Sequence, residues 1–179
     1  ADMKKTKKIA VAAILAAFGV AILYLGALIE VLDLSVALLA SFLILFCMAE
    51  LGKSVSLSVY LITALLSLLL LPNKSPALLY AAIFGYTPIT KFLFERTYRW
   101  LSWLLKLLLF NVSAVLTGYF GWKLLGFTME NRFGLDPIFV VLIYLVLANA
   151  AFIVCDILYS RLTALYLRKY RNTIRKYLK

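Results

Sequence analysis

The ionisable residues that fall inside apolar stretches are the first candidates for chemistry. Lys91 and Glu95 stand four apart on one helical face, close enough to pair, although with Lys first the order is the weaker one. Lys106 reaches a similar depth in the next apolar segment and could meet Glu50 or Asp156. An ionised group inside a bilayer costs about 2.5–3.5 kcal/mol even on the lenient insertion scale, so each of these residues needs a partner. Two chemistries follow: a belt of interhelical ion pairs, or a proton or ion path. A path needs charge at the midplane, where Asn111 and Asn149 stand instead, and two amides there are expected to hydrogen-bond between helices. Other chemistry lacks its donors. The 179 residues hold no His, no Cys pair at metal spacing, no phosphate loop and no nucleophile elbow, and the eight Asp and Glu form no recognisable catalytic spacing. No catalytic residue, metal site or cofactor is therefore expected, and an ATPase or zinc enzyme is excluded. Cys47 and Cys155 each lie inside an apolar run and are expected to be free thiols.

The elements that must position these residues are membrane spans. Hydrophobic residues make up 65% of the chain and the mean hydropathy is +0.99, too little polar surface for a soluble domain. Ala1 and Asp2 read as a remnant ahead of a natural start at Met3, which leaves a single domain over 3–179. The first apolar run is longer than a signal-peptide core and is expected to be a retained span. The expected class is all-α, an integral membrane bundle of six transmembrane helices at about 9–29, 34–49, 54–71, 77–94, 101–125 and 137–158. The N-terminal lysines, Lys53, Arg96, Arg99 and the C-terminal run fall on one side. Lys74, Lys123 and Arg132 share the other with Glu30, Asp33, Glu130 and Asp136. The positive-inside rule then places both termini in the cytoplasm of a multi-pass protein of the cell membrane. The net charge of +11 lies mostly in the two tails, so topology explains it better than nucleic acid does. Residues 161–179 alternate apolar and basic positions at helical spacing, a basic amphipathic helix suited to an anionic leaflet.

The fourth span carries Gly85, Pro88 and Lys91. Pro88 has no N–H, so the carbonyl of Phe84 loses its helical partner. In lipid such freed groups must be buried against protein, bonded by a hydroxyl such as Thr87, or turned toward a water-filled cavity. Interrupted helices of this kind often carry solute sites, although a packing kink accounts for the same residues. Uncommitted polarity collects at the outer end of the bundle. Glu30, Asp33, Asn73, Lys74, Trp122, Lys123 and Asn131, with Tyr80 and Tyr86 below them, form the candidate site for a small-molecule solute.

The first span is rich in small residues, and Ala13, Ala17 and Ala21 form one stripe with Ala12 and Ala16 beside it. With its Lys-rich start and the stretch "AAILAAFGVA", it resembles the S component of energy-coupling factor (ECF) transporters. That resemblance implies a subunit, not an enzyme, that captures a vitamin or similar micronutrient. It also implies docking through Ala12, Ala13, Ala16 and Ala17 onto a coupling subunit driven by separate ATPases. No substrate-specific signature is present. The alternatives are a ligand-free scaffold similar to the multi-span cell-shape proteins of the MreD type, and a lipid-modifying or lipid-flipping protein using the charge belt.

Overall fold

The structure, a computed structural model, describes residues 5–94, 98–125 and 137–170. Among them the fold is all-helical, with six helices long and apolar enough to cross a membrane. In chain order these are α1 (Lys5–Ala27), α2 (Asp33–Glu50), α3 (Lys53–Leu70), a fourth span made of two short helices, α6 (Arg99–Leu125) and α7 (Pro137–Leu165). The fourth span consists of α4 (Ser75–Leu79), a π turn over Tyr80–Phe84 and α5 (Thr87–Phe94).

The helix ends differ from expectation in ways that follow from capping. Asp33 was expected to close the first loop, but it is the first residue of α2, where a carboxylate favours the positive end of the helix dipole. Glu30 opens the short 3₁₀ turn Glu30–Leu32 that precedes it. At the other end of α2 a two-residue turn, Leu51 and Gly52, reverses the chain into α3. Gly52 takes φ +90°, a conformation that only glycine adopts cheaply. The last span runs on past residue 158, in keeping with a last span that continues into a basic helix. Residues 161–165 continue α7, a π turn follows over Tyr166–Tyr170, and the rest of the expected amphipathic tail lies outside the described residues.

The first four spans form the packed core. Ala16, Leu23 and Ala27 of α1 meet Ala37, Ala40 and Ile44 of α2, Val59 and Ala64 of α3, and Tyr80 and Phe84 of the π turn. Small residues permit this closeness. A Cβ placed on Gly26 would lie 2.1 Å from a methyl of Val36, so α1 and α2 approach there only because glycine has none. The α6 and α7 spans are peripheral: 17% of each is buried, against 44% of α2 and of the fourth span. They run antiparallel, since Lys106 meets Asp156 near one end while Asn111 meets Asn149 further along α6 and earlier on α7.

Candidate functional site

The break in the fourth span is closed by protein. At the π turn the N–H of Gly85 donates to the carbonyl of Tyr80, one residue further back than in an α-helix. Pro88 falls in the first turn of α5, where its missing N–H costs little. The Thr87 hydroxyl donates to the carbonyl of Ile83 and not to that of Phe84, and the Tyr60 hydroxyl of α3 donates to the carbonyl of Ala81. The Tyr60 ring also lies against Gly85, 2.6 Å from where a Cβ would sit. The cavity expected at this turn is therefore filled by a side chain from the neighbouring span, 25 residues earlier in sequence by the Tyr60–Gly85 pairing.

The outer-end candidates divide accordingly. Asn73 accepts the N–H of Ser75 at 3.0 Å and shapes the turn into α4, while the Lys74 ammonium donates to the carbonyls of Leu71 and Leu69 at the end of α3. Both act on their own turn. Tyr80 is wholly buried in the core, with its hydroxyl beside that of Thr63 but outside good hydrogen-bond geometry. Tyr86 donates to Ser113 of α6 at 2.8 Å. Trp122 belongs to α6, and Asn131 lies outside the described residues. Lys123 is exposed and stands 5.7 Å from the ring centre of Tyr119.

The charge belt takes a definite form. The Lys91 ammonium donates to Asp156 Oδ1 at 2.9 Å, to the Asp156 carbonyl at 3.1 Å and to Ser160 at 2.7 Å. Lys106 approaches both carboxylate oxygens at 3.3 and 3.4 Å. All three charged residues are almost fully buried, and together they tie α5, α6 and α7. Lys91 was expected beside Glu95, which lies outside the described residues, and Glu50 instead accepts the hydroxyl of Tyr166 at 3.1 Å. Tyr86, Thr87 and Thr90 join the belt in lining a cavity of about 10 Å³, room for a single water and nothing larger.

A larger space lies elsewhere, and the sequence reading missed it. From the belt, α6 and α7 stay in contact through the stacked rings of Phe110 and Phe152, 4.4 Å apart, and then through Asn111 and Asn149. Each of those amides donates to the other's oxygen at 2.9 Å. Beyond the pair the helices part around a groove of about 320 Å³, at the lower end of the range for small-molecule sites. Its walls include Ala114, Gly118 and Tyr119 on α6 and Tyr144 and Ala148 on α7, with the two amides as its floor. Small side chains make the gap: a Cβ on Gly118 would meet nothing within 4 Å. Ala114 and Gly118, four apart on one face, are the signal that could have located it.

The alanine face of α1 also divides. Ala16 is buried and Ala12 half-buried against the core, whereas Ala13 and Ala17 are exposed. Cys47 and Cys155 are free. No family model, no curated protein and no solved structure matches this chain.

Proposed function

We propose that this chain is a solute-capturing subunit of a membrane uptake system, in which the groove between α6 and α7 is the capture site. The observation that carries the reading is the groove itself: a 320 Å³ space walled by apolar and aromatic side chains and floored by two fixed amides. Apolar walls with a few placed polar groups are the usual composition of a small-molecule site. On this reading the outer-end residues of the fourth span are structural, and Lys123 with Tyr119 stands at the rim. A vitamin or similar micronutrient, the solute class of the ECF-like reading, is the proposed cargo.

The exposed half of the alanine face, Ala13 and Ala17, is the surface proposed for a coupling subunit and its ATPases. Ala12 and Ala16 contribute to the core instead. The chain would lie in the cell membrane with both termini in the cytoplasm and its basic C-terminal segment against anionic lipid. A ligand-free scaffold of the MreD type is the second reading, favoured by one observation: Tyr60 fills the turn at Gly85 that a solute site in the fourth span would need.

Thermal unfolding in detergent against a panel of vitamins and related small molecules tests the proposal. A ligand of the groove raises Tm through preferential binding to the folded chain. Gly118→Phe, which projects a ring into the open groove, is expected to abolish that rise while leaving the ligand-free Tm in place. A rise that persists in Gly118→Phe would place the site elsewhere, and no rise with any compound would favour the scaffold.

A further inference from the structure

The hydrogen bonding of the groove floor specifies which polar group a ligand can present to it. Each amide nitrogen has two hydrogens. Asn111 directs one to Asn149 Oδ1 and the other to the carbonyl of Leu107, at 2.9 and 2.8 Å. Asn149 repeats the pattern, with Asn111 Oδ1 at 2.9 Å and the carbonyl of Leu145 at 2.8 Å. The two main-chain carbonyls fix the orientation, because turning either amide over would set oxygen against oxygen. All four amide hydrogens are thereby engaged. Each Oδ1 accepts one bond from its partner amide and keeps a second lone pair.

We infer that the floor accepts hydrogen bonds and does not donate them, so the groove selects a mainly apolar molecule that carries a neutral hydroxyl or N–H at its leading end. This rests on the groove being the capture site. At the floor, a carboxylate or an ether oxygen would face lone pairs with no donor opposite, since the hydroxyl donors of the groove, on Tyr119 and Tyr144, belong to its walls, and in a low-dielectric setting an unmatched polar atom is costly. An ammonium would find no acidic residue among the groove-lining residues to balance its charge. Both amides lie within the apolar span of their helices, so water is a poor substitute for a missing donor.

The test uses two photoactivatable probes in liposomes holding the full chain, a medium-chain alcohol and its methyl ether, with adducts mapped by mass spectrometry. The alcohol is expected to label the groove walls about fivefold more than the ether, the preference that one neutral hydrogen bond provides. In the double variant Asn111→Leu, Asn149→Leu the preference should vanish while ether labelling of the walls persists, which shows the groove intact. Equal labelling by both probes in the wild type would overturn donor selection and leave the groove as a site. Wall labelling that is unchanged in Gly118→Phe would report the lipid-facing surface only, and would overturn both the inference and the capture site beneath it.

Discussion

Asp156 meets two buried lysines, and both ion pairs are lost with it. Removing one member of a buried ion pair leaves an uncompensated charge and costs about 3–5 kcal/mol, whereas replacing the whole group with apolar residues is often neutral. Asp156→Asn should accordingly lower stability by that amount, seen as a large fall in Tm in detergent. The combination Lys91→Met, Lys106→Met and Asp156→Leu should recover most of it; a combination no better than Asp156→Asn would show that the belt does more than hold α5, α6 and α7 together. Tyr80 gives the opposite expectation. The buried hydroxyls of Tyr80 and Thr63 lie side by side without a well-formed hydrogen bond, so replacing both, Tyr80→Phe with Thr63→Val, removes a desolvation cost of about 1–3 kcal/mol and should raise Tm. A lower Tm would mean that the two hydroxyls are bonded to each other. The charged residues were legible in the sequence as a group needing partners, and Asp156 was named for Lys106. That Lys91 also turns to Asp156 was not legible, because its sequence neighbour Glu95 offers an equally good local spacing.

At the scale of elements, the long helices lie within about a turn of the apolar runs, and the last one continues beyond its run into the basic segment expected to be helical. There, residues 161–165 are helix formers that simply extend α7. Gly85 and Pro88 marked a real interruption, although Thr87 bonds the carbonyl of Ile83 and not that of Phe84. What plugs the turn could not be read locally: Tyr60 sits on a different span, and only the packing of α3 against the π turn brings its ring to Gly85. Tyr60→Phe should leave the carbonyl of Ala81 without its donor and cost about 1–3 kcal/mol. Glycine marks the other sensitive contact. Gly26→Ala sets a methyl into Val36 and should cost about 1–3 kcal/mol through overpacking, measured by the same unfolding assay. An unchanged Tm would show that α1 can shift away from α2 freely.

For the whole molecule, the division of labour between a tight bundle and a loose pair of helices is the main feature. Spans one to four bury their small and hydroxyl-bearing faces against one another, while α6 and α7 attach through the charge belt, through Tyr86 to Ser113 and through the buried Tyr159 against Ser41 and Phe42 of α2, and then separate. Little of this was legible beforehand. Composition and charge placement establish spans, but which faces of two spans meet, and where they part, depends on side-chain sizes matched across helices. Ala114, Gly118 and Ala148 read individually as ordinary small residues of membrane helices; only their juxtaposition opens a groove. The alanine face shows the same limit. Ala13 and Ala17 are exposed while Ala12 and Ala16 beside them turn to the core, so Ala17→Leu should leave Tm unchanged and, on the proposed docking, block assembly with a coupling subunit, whereas Ala16→Leu should destabilise the fold itself.

The most direct test of the capture reading is native mass spectrometry of the chain extracted gently from the membrane in which it is made. On the capture reading the wild-type protein carries a small, mainly apolar molecule in defined stoichiometry and Gly118→Phe, equally folded, carries none. Wild-type protein that emerges bare, or a Gly118→Phe variant that retains the same molecule, would contradict it.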